Sequence, residues 1–177
     1  TLGASLGVLG GGAFLSGLWL SKRYPASMTN EGGILIGTLL FGLAMCLWGM
    51  LRQPVLLLPL AFVIGVLETV IMSASNTAWQ VHVPAEIQGK VFAVRTVTAF
   101  GLAPLALLCS VPLAERVFHP LLEQSGPVAT TVWGAAPVGP LGMMISVLGV
   151  GVAACAIVLR LRGGLPLAPI ASDAKVN

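Results

Sequence analysis

Apolar residues run almost unbroken through five stretches of this chain, roughly 2–20, 33–51, 54–75, 90–113 and 139–161, with short polar breaks between them. A helix needs about 20 mostly apolar residues to cross a bilayer at 1.5 Å rise each, and all five stretches reach that length. Lipid also accommodates closed β-barrels, but barrel strands alternate apolar and polar positions with period two, whereas these runs are continuous. The pattern therefore predicts an all-α membrane protein with five transmembrane helices.

Composition strengthens that picture. Hydrophobic residues make up 56% of the 177 residues and charged ones 8%, against about 25% charged in soluble domains. So few charges could not cover a water-facing surface. The net charge of +3 does not point to nucleic acid, because Lys and Arg cluster at the ends of apolar runs, where they report topology. Placing Lys22 and Arg23 in the cytoplasm and alternating from there puts Lys90, Arg95, Arg160, Arg162 and Lys175 on the same side. Arg52 and Arg116 alone fall outside. The excess of basic residues inside selects this orientation, with the N-terminus outside and the C-terminus cytoplasmic in a cell membrane. The chain opens on Thr1 with no charged leader, and it is expected to be a piece of a longer protein.

The breaks differ in character. Residues 21–32 form a polar cytoplasmic turn, and Arg52, Gln53 and Pro54 a tight outer one. The amphipathic linker 76–90 is expected on the inside, and an outer loop rich in Pro, Gly and Thr over 114–138. Residues 163–177 have the composition of a disordered cytoplasmic tail. Trp19, Trp48, Trp79 and Trp133 fall near span ends, as an interfacial belt requires. Pro104 and Pro112 are expected to kink or end the fourth span by removing backbone donors.

Small residues recur at helical spacing. Gly3, Gly7 and Gly11 repeat every four positions, Ala13 pairs likewise with Gly17, and Gly33–Gly37, Gly42–Cys46 and Gly149–Ala153 extend the theme. Such faces let two backbones approach closely. They serve ordinary packing, or a surface that slides against a partner. Cys46, Cys109 and Cys155 lie inside apolar runs without CxxC spacing and read as packing residues.

One residue stands out chemically. Glu68 lies deep in the third span with no charged neighbour on the same helix. An ionised carboxylate at helix centre costs about 2.5–3.5 kcal/mol on insertion scales. It persists there by facing a wet cavity, pairing with a cation, binding a proton, or hydrogen-bonding a neighbouring helix. Thr69, Ser73, Asn76 and Gln80 follow at spacings of four, three and four and share one helical face that Glu68 borders. Together they are candidate cavity-lining residues. Arg95, near the inner end of the fourth span, snorkels to the headgroups or pairs with a group elsewhere. No GxSxG, HExxH or Walker loop is present, and His82 and His119 fall on opposite sides of the membrane. With one acid alone at depth and no second convergent polar group, an enzyme is not expected, nor is a metal or a cofactor.

The stretch NTAWQVHVPAEIQGKVFAVR at 76–95, then APLA at 103–106 and VPLAERVFHPLL at 111–122, resembles the C-terminal half of a major facilitator superfamily transporter. It is most similar to the macrolide-efflux and siderophore-export branch, whose loop between helices 10 and 11 reads approximately VPxELQGRVF, followed by PLG and GPLADxVFEPL. The match includes Val83, Pro84, Glu86, Gln88, Gly89, Val91, Phe92, Pro104, Leu105, Pro112, Leu113, Ala114, Val117, Phe118, Pro120 and Leu121. Lys90 stands for the usual Arg, Ala106 and Val111 for Gly, Glu115 for Asp and His119 for Glu. Gly17, Lys22 and Arg23 match the gating loop between helices 8 and 9, where Ser21 replaces the acid.

The resemblance implies that the five spans are helices 8–12 of a twelve-helix fold, with the N-terminal half as partner. It implies export of small amphiphilic molecules, driven by a proton gradient rather than a cofactor, with Glu68 as the coupling or substrate site. It also implies gating or packing roles for Gly17, Lys22, Arg23, Arg95 and Pro104. The alternative is a membrane-embedded accessory or anchoring module, such as the tail of a synthetase–exporter fusion.

Overall fold

The computed structural model describes residues 2–22, 31–134 and 138–163. Among these the secondary structure is helical throughout, with no strand. The helices are α1 (Leu2–Lys22), α2 (Glu31–Met50), α3 (Pro54–His82), α4 (Ala85–Gly101), α5 (Ala103–Leu113), α6 (His119–Gln124), α7 (Gly126–Trp133) and α8 (Val138–Leu161), with a π-helical turn at Ala114–Phe118 between α5 and α6. Five stretches are long and apolar enough to cross a membrane: Gly3–Lys22, Gly32–Met50, Val55–Gln80, Glu86–Gln124 and Val138–Leu161.

The distribution of side chains is the reverse of a water-soluble fold. Buried positions are mostly small, among them Ala61, Ala74, Ala78, Ala153, Ala156, Ser16 and Ser146, while Leu107, Leu108, Val97, Val55 and many other large apolar residues face outward. In water such a surface would drive association; in lipid it is the expected arrangement, because small residues permit close helix contact and large ones meet acyl chains. The protein is therefore a membrane-embedded, multi-pass helical bundle.

Glycines set the tightest contacts. Gly149 of α8 lies so close to α2 that a Cβ there would stand 2.5 Å from the Cys46 nitrogen and 2.6 Å from the Gly42 oxygen. A Cβ on Gly42 would stand 2.6 Å from the Ala153 nitrogen. Toward the other end of this pair Gly49 meets Gly142 and Ser146, so α2 and α8 run antiparallel. The small-residue pairs Gly42–Cys46 and Gly149–Ala153 thus pack on one another. On the other flank Gly12 of α1 abuts the Phe62 backbone and Gly65 of α3 abuts Leu9 and Ala13. Ile71 of α3 covers Gly37 of α2, linking the two pairs.

A cavity of about 740 Å³ shows which helix ends lie together: Ala4 and Ser5 of α1, Trp48 at the end of α2, Leu57 of α3, Trp133 of α7 and Val138 of α8 all line it. Helices α1 and α3 thus begin at the same end, and α2 finishes there. A chain threaded back and forth across a bilayer requires that alternation.

Two expectations are corrected. Residues 76–90 are not an extended linker. Helix α3 continues to His82 and α4 starts at Ala85, with only Val83 and Pro84 between. Pro84 disfavours helical geometry at the residue before it, and Val83 is accordingly extended (φ −98°, ψ 126°). The outer loop over 114–138 is mostly helical as well, formed by the π-helical turn, α6 and α7. Its prolines occupy first-turn positions, Pro120 in α6 and Pro127 in α7, where a missing N–H costs nothing. Within this chain the stripe Gly3, Gly7 and Gly11 is uncovered: a Cβ at any of them, or at Gly17, would meet nothing within 4 Å among the described residues. The packed face of α1 lies on the opposite side, at Leu9, Gly12 and Ala13.

Candidate functional site

Glu68 occupies the midpoint of α3, about 20 Å from either end at helical rise. Periodicity places it one turn beyond the buried Ile64 and Gly65, on the same side of the helix. Its side chain is exposed on the bundle, and among the described residues it makes no hydrogen bond or ion pair.

The neighbouring polar positions have separate fates. The Thr69 hydroxyl donates to the Gly65 carbonyl one turn back (3.0 Å), a bond within its own helix. The Ser73 carbonyl accepts from the Thr77 hydroxyl (3.0 Å). Asn76 is taken up by the next helix: Arg95 Nη1 donates to its Oδ1 (2.6 Å), and Arg95 Nη2 donates to Ser75 Oγ (3.0 Å). The same guanidinium lies over the Trp79 ring, 5.8 Å from its centroid, within range of a cation–π attraction. The mate of Arg95, invisible in the sequence, is therefore the polar end of α3. Ser75 and Trp79 follow Glu68 at seven and eleven positions, so Arg95 sits on the same side of α3 as the acid, about 10 Å along the axis.

The loop motif has a structural task. Gln88 Nε2 donates to the carbonyls of Gln80 (2.9 Å) and Val83 (3.0 Å), which are among the groups a helix C-terminus leaves without partners. The Ile87 amide donates to the Pro84 carbonyl (3.1 Å) as α4 begins. Glu86 lies in the first turn of α4, where a negative charge complements the helix dipole. Gly89 has open space around it, and Lys90 is exposed. Pro104 falls in the first turn of α5, immediately after the break at Leu102 that separates α4 from α5. Lys22 closes α1. Arg23 lies outside the described residues.

A second polar cluster, which no motif in the sequence marks, lies at the end opposite the Arg95 clasp. Arg52 Nη2 donates to the carbonyls of Thr130 (2.6 Å) and Thr131 (2.7 Å), holding α7 against the turn between α2 and α3. Trp133 Nε1 donates to Ser146 Oγ (2.9 Å), which donates in turn to the Cys46 carbonyl (3.0 Å). Ser146 is 2% exposed, and these two bonds satisfy it. The available signal was a lone Ser between Gly142 and Gly149 on an apolar helix, where a polar atom at a close helix contact needs a partner.

The basic residues segregate with these ends. Lys22, Lys90, Arg95, Arg160 and Arg162 gather where α1, α3 and α8 finish and α4 begins, whereas Arg52 and Arg116 lie toward the other end. Among the described residues no three His, Cys, Asp or Glu side chains approach closely enough to hold a metal ion. No protein family, curated protein or solved structure matches this chain.

Proposed function

We propose that this chain is the greater part of the C-terminal bundle of a proton-coupled efflux transporter of the major facilitator type, its five spanning stretches answering to helices 8–12 of twelve. The observation that carries the reading is Glu68, an acid at the midpoint of a 29-residue apolar helix. An ionisable group at that depth is costly unless it works, and transporters of this architecture place substrate and coupling sites near the midplane. In this reading the exposed position of Glu68 is covered by the rest of the transporter and lines its central cavity. Glu68 gains a proton in one state and releases it in the other, and small amphiphilic molecules are the cargo. Clustering of basic residues at one end supports a cytoplasmic location for Lys22, Lys90, Arg95, Arg160 and Arg162, with the N-terminus of α1 outside.

The test is export driven by an imposed pH gradient in cells producing the protein from its native locus. Glu68→Gln, which keeps size and polarity but cannot release a proton, abolishes gradient-driven export while leaving membrane levels unchanged. Unaltered export in Glu68→Gln removes the acid from the mechanism and favours the anchoring-module reading, in which the exposed carboxyl has no work to do.

A further inference from the structure

The joint between α3 and α4 carries a groove whose chemistry the transport reading does not use. It has a volume of about 580 Å³ and is lined by Trp79, Lys90, Val91, Val94, Arg95 and Thr98 among others. Its walls are apolar along α4, where Val94 is 66% exposed. Lys90 and Arg95 are among its lining residues, and among the described residues neither makes an ion pair, although Glu86 stands one turn before Lys90 on the same helix. Arg95 is held in place by Asn76 and Ser75, and Lys90 is exposed five residues before it.

We infer that this groove binds an anionic phospholipid, with the headgroup phosphate between Lys90 and Arg95 and an acyl chain lying along Val91, Val94 and Thr98. Three observations converge. The cations make no ion pair among the described residues and lie at the end of the bundle where basic residues gather, and basic pockets between spanning helices suit anionic headgroups. Trp79 borders the same groove, and indole rings sit at headgroup depth. From Val91 to Ala99 the groove rises about 12 Å along the helix axis, close to the roughly 15 Å of hydrocarbon in one leaflet. A free phosphate would use only the mouth and leave the apolar wall unexplained. The inference requires only that the bundle sits in a membrane and does not depend on transport.

Native mass spectrometry of the purified chain, released from micelles containing phosphatidylglycerol and phosphatidylcholine with identical acyl chains, tests it. The native protein retains phosphatidylglycerol in preference to phosphatidylcholine. Lys90→Gln lowers that preference about fivefold, the factor expected for one basic residue beside an anionic surface, and Lys90→Arg restores it. Val94→Trp, which fills the groove but keeps both cations, also removes the bound lipid. Excess inorganic phosphate leaves the lipid in place. Equal retention of the two lipids, undiminished retention in Lys90→Gln or in Val94→Trp, or displacement by inorganic phosphate would each overturn the assignment.

Discussion

Helices α2 and α8 on one side, and the α4–α5 segment on the other, are equally at home in lipid but are held in the bundle by different means. The apolar windows of α2 and α8 are each 28% buried, against 6% for the stretch containing α4 and α5. Between α2 and α8 the backbones meet through Gly42, Gly49, Gly142 and Gly149, and Ser146 ties both to Trp133. Helix α4 carries no such glycine face against α3. It is attached through one guanidinium, on Asn76, Ser75 and Trp79, and through the Gln88 amide at the joint. Hydropathy brings both segments into the membrane, but it does not join them to anything. Lipid tails are as apolar as leucine, so association there depends on close packing and a few polar bonds. The glycine-packed pair is joined by direct backbone contact, whereas α4 is joined to α3 through a polar clasp.

That contrast can be broken from either side. The largest effect is expected from Gly149→Leu, because even its Cβ would stand 2.5 Å from the Cys46 nitrogen and backbone cannot yield as a side chain can. Overpacking of this kind costs upward of about 3 kcal/mol, read as a collapse of the unfolding midpoint in mixed micelles. Next comes Arg95→Ala, which leaves the α2·α8 pair intact but releases α4. Partly exposed charge-assisted bonds of this kind are worth about 1–3 kcal/mol together, and the distance distribution between spin probes at Met72 and Val97 broadens. Arg95→Lys, with the charge but not the forked geometry, falls between.

Smaller still is Ser146→Ala, at about 1 kcal/mol. Because Trp133 acts through the same hydroxyl, combining it with Trp133→Phe adds less than the sum of the two single changes. The smallest effect is Gly7→Leu, whose Cβ meets nothing within 4 Å. The unfolding midpoint of the chain itself stays within error, and a large loss there would mean that α1 packs through its glycine stripe after all.

The sequence was a good guide to whatever depends on continuous apolarity, and a poor one to what depends on which helix meets which. Spanning stretches were legible because transfer into lipid is a property of one segment at a time. The pairing of Gly42 with Gly149 was half legible: each small-residue motif was visible, its partner was not. Gly3, Gly7 and Gly11 show the limit of such motifs, since the spacing marks a face able to pack but does not say against what, and no described helix of this chain covers it. Segment 114–133 looked like a loop because Pro, Gly and Thr are loop formers, yet Pro120 and Pro127 stand in first turns, where a helix tolerates them. Arg95 has no visible mate in the sequence because Asn76 stands where the apolar run ends, and only the continuation of α3 to His82 puts the two side by side. The depth of Glu68 was legible from its position between equal apolar flanks, whereas its exposure depends on how α1 and α2 cover α3.

The most direct measurement is a depth scan along α3 by electron paramagnetic resonance. Single cysteine probes are introduced from Val55 to Gln80 in a background lacking Cys46, Cys109 and Cys155, in bilayers, with oxygen and a water-soluble nickel chelate as relaxants. The account predicts depth rising from both ends to a maximum at Glu68 and its neighbours. A flat profile, or one that only deepens or only shallows along the helix, would show that α3 does not cross the bilayer and that the acid does not sit at its centre.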